Sequence, residues 1–494
     1  MTRLILLLFT LSGMCALIYQ LLWTRWLGLL LGNFATATAI VVTTFMAGLA
    51  LGNWLLGRVS ASLSPRGSIR LYAVLEGSLA LFAGLSPLLF TTSSFLYPIL
   101  VSASPVVMVR ALICLVILLP PTFLMGGTLP LLIQALRATG PAALGLVYAL
   151  NTLGGAVGPL LAAFVMLPSL GLKFTLFITV VMNAAVAGTA FLVSRRLADA
   201  GPPPAPPDGI AVNAPPAPPA PPAEEEIRIP RLLPFGLAAF SGFLSLAFEI
   251  ALTRLLILTV TGGSVYGFAI ILSAFLLGLA IGSLIIKRFP PRSVSGALAA
   301  FAAAQGIAWF FALTTPFWDL LPLLMVNVWW SGLPFPVITV LDFALIIFLL
   351  LALTIAFGYS LPALAMTLKP ATSATIGRLF AANTVGAMLG APAAGFILLP
   401  LIGLSPSLLI LGNMALIMAA GTLVILKPRL RLAILVPLPF LMAFSFLIPP
   451  PDDAIMNAGM YNRPLSFRPG METGSENPVE AAHHREASGT KKTA

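Results

Sequence analysis

LSGMCALIYQLLWTRWLG, residues Leu11 to Gly28, is written a second time as FSGFLSLAFEIALTRLLI, Phe240 to Ile257. FMAGLALGN (Phe45 to Asn53) likewise returns as FLLGLAIGS (Phe275 to Ser283). The echoes continue in the same order. GTLPLLIQAL (Gly127 to Leu136) matches YSLPALAMTL (Tyr359 to Leu368), YALNTLGGAVG (Tyr148 to Gly158) matches FAANTVGAMLG (Phe380 to Gly390), and LPSLGL (Leu167 to Leu172) matches LPLIGL (Leu399 to Leu404). Glu76 then falls opposite Gln305, and Asn183 opposite Asn413. Two copies about 230 residues apart are too long for a solenoid unit and mark a tandem duplication.

The doubled unit is a membrane unit. Of the 494 residues, 59% are hydrophobic and 8% charged, against roughly a quarter charged in a globular domain. Apolar runs of about 20 residues recur from end to end, each long enough to cross the hydrocarbon layer as a helix with its backbone hydrogen bonds internal. The sequence therefore predicts an all-α polytopic membrane protein whose main partner is the lipid bilayer. A formal charge of +11 would suggest nucleic acid in a soluble chain; here the basic residues belong to loops that set orientation, and no nucleic-acid role is expected. Cys15 and Cys114 lie inside apolar segments and give no disulfide framework. The first apolar segment lacks a small-residue cleavage site and reads as a retained span.

The expected spans of the first half are residues 4–24, 31–57, 70–91, 107–135, 142–166 and 172–194. Those of the second are 233–253, 264–286, 295–321, 336–366, 376–400 and 405–426, followed by one more at 430–449. This divides the chain into a first six-helix repeat (1–194), a Pro-rich cytoplasmic linker (195–231), a second six-helix repeat (232–426), an additional transmembrane helix (427–449) and a polar tail (450–494). Six spans per copy is even, so the copies enter the membrane in the same sense, as parallel repeats related by an axis along its normal. The linker, with GPPPAPPDG and NAPPAPPAPPAEEE, favours extended polyproline II. The tail mixes charge, glycine and proline and is expected to be disordered; its adjacent His483 and His484 lack a third ligand, so no metal site is expected.

With the N-terminus in the cytoplasm, one side collects 17 basic residues running from Arg3 to Arg431, while the other collects Arg25, Arg110, Lys173 and Arg254 before the tail. The positive-inside rule then makes the first side cytoplasmic and puts the tail outside. Trp23, Trp26, Trp329 and Trp330 are expected near the outer interface.

In this arrangement the residues resemble a known family. LSG-x4-IYQ-x2-WTR, FMAGLALG, LYAVLEG, PTFLMGGTLP, LVYALNTLGGAVG and LPSLGL are similar to the membrane domain of the bacterial fused membrane-protein/spermidine-synthase-like family, over nearly all of residues 5–450. The resemblance implies a major facilitator-like bundle. GNWLLGRVSASLSPRGSIR (Gly52 to Arg70) is also similar to the basic cytoplasmic loop of that superfamily, without its usual aspartate. Family members carry a soluble synthase-like domain after the last helix, and DDAIMNAGMYNRP (Asp452 to Pro464) resembles its lead-in. The chain stops about 30 residues later, and nothing in it fits the nucleotide-binding strand, glycine loop and helix that aminopropyl transfer needs. No enzyme activity and no cofactor are expected.

By analogy with the fold, the first and fourth helices of each half line a central cavity. Gln20 lies on the first expected helix and its mate Glu249 on the seventh; Arg110 lies on the fourth, and Asp342 falls opposite it on the tenth. A charge at mid-bilayer costs about 3 kcal/mol or more, so such residues face a wet cavity or a partner. Glu249, the deepest, is the foremost candidate for binding a cation or proton, with Asp342, Arg110 and Gln20 beside it. The competing expectation is that Arg25, Arg110, Arg254 and Asp342 lie near the outer surface, where Arg254 pairs with Asp342 and snorkels. Glu76 and Gln305 are expected to bind the basic loop near Arg58 and Arg70. Asn151 and Asn383 begin runs of small residues (Gly154 with Gly158, Gly386 with Gly390) and read as helix-packing devices. Pro130 and Pro362 are expected to break their helices at matching places.

Two functions compete at this point. One is a secondary transporter moving a small, cationic, polyamine-like solute by alternating access. The other is a non-transporting structural or assembly subunit holding protein partners in a larger membrane complex.

Overall fold

The computed structural model describes residues 2–31, 34–103, 106–136, 141–197, 230–261, 264–368 and 373–449. Helices α1 (Thr2–Leu31), α2 (Phe34–Ala61), α3 (Pro65–Ala103), α4 (Val106–Leu136), α5 (Pro141–Leu161) and α6 (Leu167–Arg196) make the first half. The second half comprises α7 (Leu233–Leu256), α8 (Val265–Arg288), α9 (Val294–Thr314) with the short α10 (Leu320–Trp330), α11 (Phe335–Ala365), α12 (Ser373–Pro392) with the single turn α13 (Leu399–Ile402), and α14 (Leu404–Leu426). Helices α15 (Arg431–Leu435) and α16 (Pro437–Leu447) form one further crossing. No strand occurs among the described residues.

Among the described residues, twelve helical stretches are long and apolar enough to cross a membrane, and one of them, Leu144–Arg196, is 53 residues long and crosses twice. Its two passes part at Gly171, whose φ of 70° belongs to the left-handed region that glycine enters without a Cβ penalty. Gly403, with φ 83°, makes the same break between α13 and α14. These are the glycines of LPSLGL and LPLIGL, so the repeated motif is the hinge between the fifth and sixth crossings of each half. In both halves a π-helical turn precedes it, at Ala162–Met166 and Ala393–Leu398.

The halves are packed alike. α1 lies against α5 as α7 lies against α12; α2 pairs with α4 as α8 pairs with α11; α3 packs on α6 as α9 packs on α14. Between halves, α2 contacts α12 and α5 contacts α8, so each half offers its second helix to the fifth helix of the other. Two reciprocal seams of this kind require a rotation, and the bundle is two parallel six-helix repeats plus a thirteenth crossing.

The repeated FMAGLALGN and FLLGLAIGS segments show why the duplication kept its glycines. A Cβ on Gly48 would overlap the side chain of Thr122 on α4, and one on Gly278 would overlap Thr354 on α11. In lipid, helices gain little from burying apolar surface against each other, so association depends on backbones approaching closely at small residues.

Several expectations need correction here. The third span is a 39-residue helix rather than 70–91, because Pro65 starts it well before the apolar run and it tolerates Pro87 and Pro98. Pro130 and Pro362 do not break their helices. With no water competing for the backbone, each proline frees one carbonyl and the helix continues; the carbonyl of Gly358, which Pro362 leaves without its N–H, accepts from Ser283 Oγ at 2.8 Å. Trp23 is not an interfacial residue but a fully buried one, stacked on Tyr19 at 5.3 Å and donating from Nε1 to Ser86 Oγ at 3.2 Å. Trp26 is half-buried against Phe90; the side chains of Trp329 and Trp330 lie outside the described residues, as do most of the Pro-rich linker and the whole tail from residue 450.

The thirteenth crossing is peripheral. Only 6% of its apolar window is buried, and its polar tie to the bundle is Asn413 Nδ2 donating to Ser445 Oγ at 2.8 Å.

Candidate functional site

A cavity of about 280 Å³ lies between the halves. Its wall comes from α1, α2, α4 and α5 on one side and α7, α8, α11 and α12 on the other. The first and fourth crossings of each half thus line it, joined by the second and fifth. Its polar side chains are Gln20, Asn53, Thr128, Asn151, Thr152, Ser241, Ser245, Glu249, Asn383 and Thr384, with Phe45, Tyr148, Phe357 and Phe380 among the aromatic ones. Among the described residues, Glu249 is the one carboxylate in this wall, and no lysine, arginine or histidine accompanies it.

Helix geometry explains why these side chains converge. Ser241, Ser245 and Glu249 stand four apart on α7, and Asn151 and Thr152 follow Tyr148 by three and four on α5, so each set shares one helix face. Adjoining faces of the same helices pack. A Cβ on Gly13 would run into the Asn151 backbone carbonyl, and one on Gly242 into that of Asn383. Cβ atoms on Gly154 and Gly386 would strike the carbonyls of Thr10 and Ala239. Asn151 and Asn383 therefore stand where helix contact and cavity meet. Their side chains belong to the wall, which the packing assignment from sequence left out.

The expected site residues divide. Gln20 and Glu249 reach the cavity; Asp342, Arg110, Arg25, Arg254, Glu76 and Gln305 do not. Asp342 is buried on α11 with Oδ1 lacking a hydrogen-bond partner, and Arg254 is exposed, so the anticipated Arg254–Asp342 pair is not formed. The two residues belong to helices that do pack, but Arg254 extends away toward the bundle surface. Arg110 donates from Nε to Tyr97 Oη at 3.2 Å on the neighbouring helix α3, and Arg25 is exposed. Neither joins a carboxylate among the described residues.

Glu76 departs most from expectation. It is fully buried, twelve residues into α3, and is held by Ser12 Oγ and by Asn183 Nδ2 at 2.9 Å rather than by the basic loop. Arg58 lies instead over the Trp54 ring, 4.0 Å from its centroid. Gln305 donates to Ser360 Oγ at 3.3 Å. The error came from the helix start: placing it at residue 70 put Glu76 near an end, whereas Pro65 puts it a full turn and more deeper.

Sequence reasoning passed over Asn53, Tyr148, Ser241 and Ser245. Asn53 carried a signal, since it puts an amide where its mate Ser283 has a hydroxyl, at the end of a motif otherwise kept apolar. Its Oδ1 is buried without a hydrogen-bond partner.

No protein-family model matches the chain, and no curated protein matches it by sequence. Solved structures do match in shape. The human organic anion transporter MFSD10 (TETRAN) aligns over 85% of this chain and 99% of its own, at 15% identity and a TM-score of 0.53. A bacterial homologue of the iron transporter ferroportin, in an outward-facing state, aligns over 87% and 98% at 12% identity, again with a TM-score of 0.53. The fold is major facilitator-like, with two six-helix halves.

Proposed function

We propose that the protein is a secondary transporter carrying a small cationic solute across the bacterial inner membrane by alternating access, with Glu249 as its cation-binding group. The observation that supports this most is the cavity at the seam of the halves, where one carboxylate stands among amides, hydroxyls and aromatic rings with no basic side chain beside it among the described residues. A carboxylate in a low-dielectric setting favours a cation, and the aromatic faces add attraction for an ammonium group. A volume of about 280 Å³ suits a solute of small-amine size. The polyamine-like class comes from the resemblance to the fused spermidine-synthase-like family, which remains our reading of the motifs. The fold does not choose it: the two matched structures are named for an organic anion and for iron.

In this reading the halves rock about the seams α2–α12 and α5–α8. The N-terminus is cytoplasmic, the linker joins the halves on that side, and the sequence beyond residue 450 is periplasmic. Gln20, Asn151 and Asn383 offer hydrogen bonds to the solute, while Arg110 and Asp342 lie outside the cavity wall.

The test is uptake into proteoliposomes of a labelled panel of amines, with matched anionic and neutral solutes. Flux of one amine class that Glu249→Gln abolishes and Asp342→Asn preserves is the expected result. Equal flux in wild type and Glu249→Gln would refute the assignment.

A further inference from the structure

A second polar cluster lies inside the first half, apart from the cavity wall. Glu76 on α3 is fully buried, with Ser12 of α1 against Oε1 and Asn183 of α6 donating to Oε2 at 2.9 Å and to the Glu76 carbonyl at 2.8 Å. Tyr72 is buried one turn away and donates to the Leu8 carbonyl at 3.4 Å. Tyr19 is fully buried and its hydroxyl has no hydrogen-bond partner.

The other half shows what this place needs for packing alone. Stepping along the repeat, Cys15, Tyr19, Tyr72 and Glu76 correspond to Leu244, Phe248, Phe301 and Gln305. The second copy fills the same positions with apolar rings and a neutral amide and remains equally buried: Phe248, Phe301 and Gln305 are all 0% exposed. A carboxyl at Glu76 is therefore not required by the fold. Nor is it neutralised by a neighbour. The titratable groups facing it are Cys15 and Tyr19 from α1 and Tyr72 from α3; α6 offers the amide of Asn183, and Arg110 and Cys114 of the adjoining α4 lie toward that helix's opposite end. No lysine, arginine or histidine reaches it among the described residues.

We propose that Glu76 is a proton-binding site within the first half, separate from the central cavity, at the place where α3 meets α1 and α6. An ionised carboxylate buried without a cation is costly, and binding a proton to form an O–H bond on Oε1 removes that cost. Ser12 Oγ can accept from the acid and donate to the carboxylate, and Asn183 donates to Oε2 in either state, so the proton can come and go without new partners. Sodium is disfavoured, because Asn183 turns its NH₂ to the carboxylate and the two carboxylate oxygens already have hydrogen-bonding partners. The site and the cavity share a helix: Ser12 and Gln20 both stand on α1, eight residues and about 12 Å apart along its axis.

The experiment is infrared difference spectroscopy of the purified protein in lipid, across a pH series in H₂O and D₂O. Wild type is expected to show a protonated-carboxyl carbonyl band that shifts in D₂O, fades as pH rises, persists in Glu249→Gln and is missing from Glu76→Gln. Asn183→Ala serves as a second probe, since loss of its N–H donor moves the same band to higher frequency even if Glu76→Gln folds poorly. A spectrum in which neither variant changes a carboxyl band, a band constant over the whole pH series, or one that responds to sodium at fixed pH would overturn the proposal. Because Glu249→Gln is carried in parallel, failure here is distinct from failure of the cavity assignment.

Discussion

Tyr148 and Phe380 occupy the same position in the two repeats, and their rings meet with centroids 5.6 Å apart and planes inclined by 51°. Repeat mates can touch only near the axis that relates the halves, so this contact marks that axis, and both residues also line the cavity. A tilted aromatic pair contributes about 0.5–1.5 kcal/mol beyond its buried area. Thermal unfolding of Tyr148→Ala, Phe380→Ala and the double variant should show coupling of that size, whereas strictly additive losses would separate the rings energetically.

The glycines of the α2–α4 and α8–α11 contacts should tolerate nothing larger. Gly48→Ala and Gly278→Ala each drive a methyl into a threonine side chain and are expected to cost about 1–3 kcal/mol. Gly188 and Gly306 make the contrast, since a Cβ there meets nothing within 4 Å. Alanine at either should be neutral or stabilising by up to about 1 kcal/mol, from helix propensity alone. Equal losses at all four positions would remove the close-approach account.

Gly57 of α2 and Gly377 of α12 face each other across one seam, a Cβ on Gly57 standing 3.8 Å from the Gly377 Cα. Alanine fits this space, but Gly57→Trp should wedge the seam open at that end. A cysteine introduced at Gln20 is then expected to react faster with a membrane-impermeant thiol reagent from that side than in the Gly57→Ala background. Identical rates would show that this seam does not gate the cavity.

Asp342 and Arg254 are predicted to act independently. Arg254→Gln should change stability by no more than about 0.5 kcal/mol, as expected for an exposed side chain that forms no ion pair among the described residues. Asp342→Asn should leave amine flux intact, because its carboxyl lies outside the cavity wall. A double-mutant coupling above about 1 kcal/mol would restore the ion pair that the structure lacks.

Much of this architecture was legible in the chain because membrane packing writes itself in small residues and in doubled motifs. The repeat FMAGLALGN/FLLGLAIGS carried the close helix contacts, and LPSLGL/LPLIGL carried the two left-handed breaks. Gln20 and Glu249 were found because a polar residue in an apolar run is rare and costly. What sequence could not supply was the rotation of each helix about its axis. Arg110 and Asp342 lie on cavity-lining helices yet point elsewhere, and Asn151 and Asn383 occupy a face shared between packing and cavity. Glu76 was misplaced for a related reason: its depth depended on where α3 begins, and the polar stretch from Pro65 to Arg70 looked like loop.

The central claim, that the seam cavity binds a cation through Glu249, is tested most directly by equilibrium binding of a labelled polyamine to the purified protein. Wild type and Asp342→Asn should bind alike, and Glu249→Gln should bind roughly 30-fold more weakly or worse, the loss expected when a desolvated charge partner is removed. Unchanged affinity in Glu249→Gln, or preferential binding of an anion by wild type, would contradict it.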